Sequence, residues 1–209
     1  MIAPARALAE MFPYFARCVD RNGVPPLWKR ELGFGSLVHI ILEQQVSLAS
    51  AQAAFDRLAR AVGRVTPETF LALTSDEARI VGFSRQKYGY CHGIAEQLID
   101  APEVLSVTGL SDDEAVAKLC KLRGVGPWTA TVYLMFAGLR PDLWPHGDRA
   151  LVVSMDNVLG LGGIPTYDDA DVMAQAWAPQ RTTAARILWH DYLGGVEYNE
   201  RHGIASIYL

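Results

Sequence analysis

Apolar residues recur at helical spacing along most of the chain, and short polar or glycine-containing segments separate one such stretch from the next. The first clear stretch, "FGSLVHIILEQQ", places Leu37, Ile40 and Ile41 on one face. The next, "SLASAQAAFDRLARAVG", begins with Ser47 as a cap and ends on Gly63. These two segments predict consecutive helices.

Capping signals mark further helices. Thr66 precedes a proline at a first helical position, and Ser111 with Glu114 three residues later forms a capping-box pattern. Helices are predicted in "TPETFLAL", "SDEARIVGF", "SRQKYGYCHGIAEQLID", "SDDEAVAKL", the segment after Pro127, "DRALVVSMDNVLG", "DDADVMAQAW" and "PQRTTAARILWHDYLGG". Only the closing "ASIYL" is typical of an extended segment, so the predicted fold class is all-α.

Composition narrows the class of protein. A chain of 209 residues, 50% of them hydrophobic, can form one substantial core or two small lobes. No window approaches the ~18 apolar residues of a membrane span, and the N-terminus meets Glu10 and Pro13 before a secretory core could form, which favours a cytoplasmic protein without membrane contact. Cys18, Cys91 and Cys120 are widely separated, so they predict core thiols rather than disulfides or a zinc site.

The stretch "LRGVGPWTA" predicts a tight turn that can bind phosphate. Gly124 and Gly126 permit positive φ, and Pro127 can start a helix because the first helical amide needs no partner. Amides at a helix N-terminus attract anions without any lysine. A formal net charge of −4 therefore does not exclude nucleic acid as a partner. A plain joint between two core helices is the alternative for an isolated turn of this kind.

The hairpin and an aspartate about two dozen residues after its first glycine together resemble the helix-hairpin-helix superfamily of DNA glycosylases. The resemblance covers roughly residues 15–193 and includes "LVHIILEQQVSLASA". "WAPQRTTAARILWHDYL" is similar to the closing helix of the alkylpurine branch, the 3-methyladenine DNA glycosylase II type. The resemblance implies two helical lobes around an active-site cleft. It also implies a single catalytic domain over residues 1–209, without an additional N-terminal domain.

The resemblance implies that Asp148 is the catalytic residue. Cleavage of a base from deoxyribose builds positive charge on the sugar, which a nearby carboxylate stabilises. Asp148 also precedes an apolar helix, so a simple N-cap role stays open. Asp142 and Asp156 are rival carboxylates. His146 could tune Asp148 or contact a phosphate, but a solvated loop histidine is the favoured interpretation.

A flipped base needs an aromatic pocket, and a wedge must fill the space that it leaves in the duplex. The predicted substrate-binding residues are Trp128, Tyr133, Trp144 and Trp189. Taken singly, an aromatic residue of this kind is more often a core residue, although Trp128 and Trp189 match pocket positions of the family.

The family places its wedge in the turn that "EQQVS" occupies, with Gln45 as the favoured tip. The residues assigned to DNA contact are Gln44, Gln45, Arg123, Gly124, Val125 and Gly126. Ordinary hydrogen bonding within the turn is the alternative for both glutamines. The implied partner is double-stranded DNA that contains damaged bases, bound by a monomer.

The resemblance also sets the expectations for cofactors. Trp128 stands where bifunctional relatives carry a Schiff-base lysine, and no cysteine follows Cys120, so neither lyase chemistry nor an iron–sulfur cluster is expected. In the family, hairpin carbonyls can hold a monovalent cation, Na⁺ or K⁺. The corresponding residues are Cys120, Leu122 and Gly124.

These residues support a hypothesis of a monofunctional DNA glycosylase that excises alkylated purines of the 3-methyladenine and 7-methylguanine type. Two alternatives remain at this point. One is a uracil or hypoxanthine glycosylase of the same fold, and the other is a DNA-binding helix-hairpin-helix module without catalytic activity.

Overall fold

The computed structural model describes residues 1–194, and every regular element in that part of the chain is helical. The helices are α1 (Ile2–Met11), α2 (Pro13–Asn22), α3 (Phe34–Glu43), α4 (Leu48–Val62), α5 (Pro67–Leu71), α6 (Ser75–Val81), α7 (Arg85–Asp100), α8 (Asp112–Leu119), α9 (Pro127–Phe136), α10 (Arg149–Leu159), α11 (Tyr167–Ala174) and α12 (Arg181–Tyr192). Short 3-10 turns lie at Pro102–Leu105 and Gln175–Trp177. The predicted all-α class is confirmed, and "ASIYL" lies outside the described residues.

The chain divides into two compact units. Unit 1 comprises Met1–Trp28 and the described residues from Arg140 onward, and it contains α1, α2, α10, α11 and α12. Unit 2 is Lys29–Leu139 and contains α3 to α9.

Helix α9 lies at the centre of unit 2 because its sequence is apolar on all sides. Residues 129–136 are all buried, and α9 packs on α3, whose own apolar face contributes Leu37, Ile40 and Ile41 to the core. The face predicted for α3 is therefore the buried one. This packing fixes both the start of α9 and the end of α3, where the candidate DNA-contact residues lie.

Unit 1 is built on the packing of α10 along α12. Residues 182–188 of α12 are buried without interruption, and Trp177 is buried nearby with its ring 5.2 Å from that of Phe15. The indole nitrogen of Trp177 donates a hydrogen bond to the hydroxyl of Tyr14 at 2.9 Å. Trp177 is thus a core residue of unit 1.

The capping predictions are confirmed. The side chain of Ser47 accepts a hydrogen bond from the Ser50 amide, and both Thr66 and Ser111 form capping boxes at the starts of α5 and α8. Each cap satisfies an amide that has no partner inside its helix.

Two helices at the N-terminus were not predicted. Helices α1 and α2 contain Pro4 and Pro13, which discourage a helical interpretation of this stretch. Both prolines lie in the first turn of their helices, where the missing amide breaks no hydrogen bond. The helices pack on each other and on α12.

Two of the three cysteines are core thiols, as the sequence predicts. Cys18 and Cys91 are buried, and burial raises the pKa of the Cys18 thiol to about 11. Burial also raises the pKa of Cys91 and, less strongly, of the half-buried Cys120. Among the described residues, no helix combines the length and the apolar character needed to cross a membrane.

Asp191 is a polar junction between α2, α10 and α12. Its side chain is only 5% exposed, and it accepts hydrogen bonds from Asn22 at 2.8 Å, Asn157 at 2.9 Å and Ser154 at 3.0 Å, and from Arg21. Burial alone would raise the pKa of Asp191, but these hydrogen bonds outweigh burial and hold it below its usual value. The charged carboxylate therefore stabilises the fold of unit 1.

We predict that Asp191→Ala lowers the free energy of unfolding by about 2–4 kcal/mol, because it leaves several donors around one buried position without an acceptor. Urea unfolding at neutral pH measures the loss. The effect should shrink on acidification, because a group with a depressed pKa adds stability above its unfolded pKa of about 3.9 and loses it as the pH falls through the folded value.

Asp76→Ala is the matched control. Asp76 is 85% exposed and lies 3.9 Å from Arg79, so its removal should cost less than about 0.5 kcal/mol. Equal losses for the two variants would contradict the assignment of Asp191 as a junction.

Candidate active site and DNA-contact loops

The hairpin between α8 and α9 is a tight turn whose first glycine is required by packing. The amide of Val125 donates to the carbonyl of Leu122 at 3.0 Å, and Gly124 has φ +91°. A Cβ on Gly124 would lie 2.3 Å from the ring of Tyr90 on α7. No other residue type fits there without moving that ring.

The second glycine has a different role. Gly126 has φ −90°, so the expectation of positive φ applies to Gly124 alone. A Cβ on Gly126 would meet nothing within 4 Å, and both Gly126 and Arg123 are exposed. Gly126 is the N-cap of α9 without any side-chain cap, which leaves the positive end of the helix dipole at the hairpin surface. Val125 is buried, and its amide already donates to the Leu122 carbonyl.

The carbonyl groups assigned to a monovalent cation are partly engaged. The oxygen of Leu122 accepts from the Val125 amide, and the oxygen of Gly124 accepts from the side-chain amide of Gln44 at 3.2 Å. A carbonyl oxygen has a second lone pair, so the oxygens of Cys120, Leu122 and Gly124 still fit a hard cation. The cation stays a prediction.

The turn between α3 and α4 is joined to the hairpin. The side-chain amide of Gln44 donates to the Gly124 carbonyl and, at 2.9 Å, to the hydroxyl of the buried Thr129. The adjacent Gln45 is exposed and has a left-handed backbone with φ +57°. The two glutamines therefore differ. The side chain of Gln44 is held by hydrogen bonds within the protein, whereas the side chain of Gln45 is exposed to solvent.

Lys87 on α7 also belongs to this turn, although the sequence did not single it out. Its Nζ donates to the carbonyl oxygens of Leu42 at 2.7 Å and Gln44 at 2.8 Å. Burial lowers the pKa of Lys87, and the nearby Cys91 opposes that change. Its bonding partners are backbone atoms 45 and 43 positions away, so no local sequence pattern could have revealed them.

The aromatic residues predicted in unit 2 differ in exposure. Trp128 is half-buried in the first turn of α9, next to the hairpin. Tyr133 is fully buried, its hydroxyl accepts a hydrogen bond from the Gly33 amide at 2.9 Å, and burial raises its pKa. This placement favours a packing role for Tyr133 and leaves Trp128 as the residue of the pair that a ligand can reach.

In unit 1, Asp148 is the N-cap of α10. Its carboxylate accepts a hydrogen bond from the amide of Leu151 at 3.1 Å, so the capping role considered from the sequence is present. Asp148 is half-buried and borders a small hollow, too narrow for a base, together with Trp144 and Tyr167. The cap holds the carboxylate in one orientation at the rim of this hollow.

Asp171 on α11 fixes the loop that precedes Asp148. One carboxylate oxygen accepts from the indole nitrogen of Trp144 at 3.0 Å, and the other lies 2.7 Å from Nδ1 of His146. His146 is therefore paired with Asp171, and the sequence had not identified Asp171. Among the described residues, the side chains able to hold a metal ion converge here, where ligand atoms of His146, Asp168 and Asp171 lie within 4.8 Å of one another.

The rival carboxylates have structural partners. Asp142 forms a two-pronged ion pair with Arg181, with both N–O distances at 2.8 Å, and hydrogen bonding from Arg181 lowers the pKa of Asp142. Asp156 accepts a hydrogen bond from the Gly163 amide at 2.8 Å. Asp148 is the carboxylate of the three that borders the hollow beside Trp144.

Trp189 is half-buried on α12, the helix that packs along α10. Trp144 is also half-buried, with its ring 5.4 Å from that of Trp177. Unit 1 thus contains the candidate carboxylate and two of the predicted pocket tryptophans. Unit 2 contains the hairpin, the α3–α4 turn and Trp128.

A helical protein with a glycine hairpin before one helix and a capping aspartate before the next has the arrangement of a helix-hairpin-helix protein. Residues 38–180 match the HhH-GPD family, described as "HhH-GPD superfamily base excision DNA repair protein". That match covers more than half of the chain, so the chain belongs to this family. Both the hairpin and Asp148 lie within the matched residues.

Named relatives support the same grouping. The chain is 29% identical over 161 residues to DNA-3-methyladenine glycosylase 1 of Schizosaccharomyces pombe, covering 75% of this chain and 71% of the relative. It is 28% identical over 182 residues to a DNA-3-methyladenine glycosylase of Bacillus subtilis, covering 80% and 57%. The chain spans 58% of the length of another Bacillus subtilis relative.

Solved structures agree in fold. The S. pombe 3-methyladenine DNA glycosylase (Mag1), in complex with abasic DNA, superposes with a TM-score of 0.80 at 25% identity, over 90% of this chain and 95% of that chain. A DNA-3-methyladenine glycosidase from Bacillus halodurans gives 0.72 at 25% identity, over 95% and 96%.

The two hairpin glycines should respond differently to alanine. Gly124→Ala should lower the free energy of unfolding by about 2 kcal/mol or more, because it combines positive φ with a clash against Tyr90. Gly126→Ala should change it by less than about 1 kcal/mol. Thermal or urea unfolding of both variants measures the difference, and a Gly126 variant as unstable as the Gly124 variant would contradict this geometry.

Proposed function

We propose that this protein is a monofunctional DNA glycosylase that hydrolyses the N-glycosidic bond of alkylated purines in double-stranded DNA, as a step of base excision repair. The observation that carries the proposal is the position of Asp148, whose carboxylate is held at the start of α10 beside Trp144. Family membership and the names of the relatives support the class of substrate.

Asp148 stabilises the charge that develops on the sugar. As the bond between C1′ and the base nitrogen breaks, its electron pair leaves with the base and C1′ becomes cationic. A fixed carboxylate stabilises this state more than the neutral ground state, which lowers the barrier. A water molecule then bonds to C1′, and its proton passes to the carboxylate or to solvent.

The hydrogen bond from Leu151 orients the carboxylate before the substrate arrives. A group that is already fixed needs no reorganisation when the charge forms, and this preorganisation accounts for much of its effect. Capping and catalysis are therefore compatible roles for Asp148, since the cap supplies the orientation that the reaction requires.

The reaction ends at the abasic site. Cleavage of the strand by an imine route needs an amine at the exit of the hairpin, and Trp128 stands at that position. Hydrolysis of this kind requires no redox or group-transfer cofactor. If a Na⁺ or K⁺ ion binds, the hairpin carbonyls of Cys120, Leu122 and Gly124 hold it and its charge supports phosphate contact.

Cationic purines suit an enzyme that binds its base on an aromatic side chain, because these purines need no general acid. A purine methylated at N3 or N7 carries positive charge in its ring, so it leaves as a neutral base without protonation. The same charge is attracted to an electron-rich aromatic face by about 0.5–2 kcal/mol. Trp128, Trp144 and Trp189 are each partly exposed and are the candidates for this contact.

Unit 2 supplies the contacts to DNA. The exposed Gly126 and Arg123 flank the positive end of α9, which fits a backbone phosphate, and the exposed Gln45 is the candidate wedge. Because these contacts are local, binding is compatible with the net charge of −4. The protein acts on the duplex as a monomer.

The proposal predicts that Asp148→Asn slows single-turnover excision of 3-methyladenine by at least ~100-fold, or about 2.7 kcal/mol of barrier, while duplex affinity stays within about 3-fold. Asparagine is as good an N-cap as aspartate, so the substitution removes the charge and keeps the cap. The measurement is base release from methylated duplex at saturating enzyme.

Asp156→Asn is the matched control, since it makes the same substitution on the same helix. It should leave the excision rate within about 3-fold of wild type. Near-normal excision by a folded Asp148→Asn variant would remove Asp148 from the mechanism.

A further inference from the structure

The α3–α4 turn holds a non-glycine residue in a backbone conformation that such residues rarely adopt. Gln45 has φ +57°, in the left-handed region, and its side chain is exposed. A conformation of this kind persists only where neighbouring contacts maintain it. The contacts that maintain this turn therefore decide where the Gln45 side chain points.

Lys87 supplies two of these contacts from α7. Its Nζ donates to the Leu42 carbonyl, in the last turn of α3, and to the Gln44 carbonyl, immediately before Gln45. Carbonyls at a helix C-terminus have no partner inside the helix, and a cation there is favoured by the helix dipole. The ammonium group thus stabilises the end of α3 and the turn together.

The other two contacts join the turn to the hairpin and to the first turn of α9. The side chain of Gln44 donates to the Gly124 carbonyl and to Thr129. Tyr90, three residues after Lys87 on α7, lies directly under Gly124. Helix α7 therefore supports the turn through Lys87 and the hairpin through Tyr90, and Gln44 holds the two loops at a fixed separation within unit 2.

We propose that Lys87 is a positioning residue for base flipping, because it fixes the backbone that presents Gln45 to the duplex. This proposal rests on the proposed function in one respect: Gln45 must enter the space that the flipped base leaves in the duplex. The ammonium group of Lys87 binds backbone carbonyls of the protein and not DNA phosphate. Its loss therefore impairs flipping and leaves duplex affinity nearly unchanged.

The test compares Lys87→Met with Lys118→Met. Lys118 is a close match, because its Nζ also donates to two carbonyl oxygens of unit 2, those of Glu103 at 2.9 Å and Ser106 at 2.6 Å. Each substitution removes one positive charge and two hydrogen bonds to backbone. They differ in that only Lys87 contacts the α3–α4 turn.

Flipping is measured by the fluorescence of 2-aminopurine placed next to a lesion in a duplex, which rises when the neighbouring base unstacks. We expect Lys118→Met to give the wild-type signal and Lys87→Met to lose most of it, with single-turnover excision at least ~10-fold slower at saturating enzyme. Affinity for undamaged duplex and its salt dependence should stay within about 3-fold of wild type.

A double-mutant cycle with Gln45→Ala tests whether Lys87 acts through Gln45. If it does, the double variant should be no slower than Gln45→Ala alone, whereas independent effects multiply. Unfolding curves confirm that each variant is folded. If Lys87→Met is unfolded at the assay temperature, Lys87→Gln, which keeps one donor, replaces it in the same cycle.

Three results would overturn the proposal: a wild-type flipping signal for Lys87→Met, additive effects in the cycle, or a loss of duplex affinity with a weaker salt dependence. The last would make Lys87 a phosphate contact. Failure of the proposed function is distinct from these results, because wild type and Lys118→Met would then also give no unstacking signal and no base release.

Discussion

The close approach of the Gly124 backbone to the ring of Tyr90 is the constraint on which the hairpin and the α3–α4 turn of unit 2 depend. A Cβ at position 124 would lie 2.3 Å from that ring, so only glycine lets the hairpin lie this close to α7. In this position the Gly124 carbonyl accepts a hydrogen bond from the side-chain amide of Gln44. The hairpin and the α3–α4 turn are consequently one structure, supported by α7.

In the proposed mechanism, the structural role of Asp148 as an N-cap serves a chemical one. The N-cap bond fixes the orientation of the carboxylate, and a charge that is already fixed is the most effective stabiliser of the proposed oxocarbenium-like transition state. Asp171 extends this order to the preceding loop by binding both Trp144 and His146. Asp142 and Asp156, by contrast, are engaged in an ion pair and a loop contact.

Sequence could predict most of the fold because its signals are local. Helical spacing and caps such as Ser47, Thr66 and Ser111 specify where helices start, and the structure confirms them. The two N-terminal helices escaped prediction, since a proline in a first turn resembles a helix breaker when no partner helix is known. Among the candidate site residues, Tyr133 is fully buried, which fits the core role that the sequence left open for each aromatic residue.

The residues that sequence missed act over long separations. Lys87 and Asp171 bind groups far away in the chain or in another helix, and neither lies in a recognisable motif. Such contacts are set by how helices pack, so only the folded structure shows them. Long-range contacts from Gln44 to Gly124 and Thr129 likewise give Gln44 surroundings that differ from those of the adjacent, exposed Gln45.

A comparison of base release from defined duplexes that contain 3-methyladenine, 7-methylguanine, hypoxanthine or uracil separates an alkylpurine glycosylase from the alternatives. We expect faster release of the two cationic purines, with the abasic strand left intact, because their charge both activates the leaving group and favours an aromatic face. Preferred release of uracil or hypoxanthine would contradict it, and so would duplex binding with no release of any base.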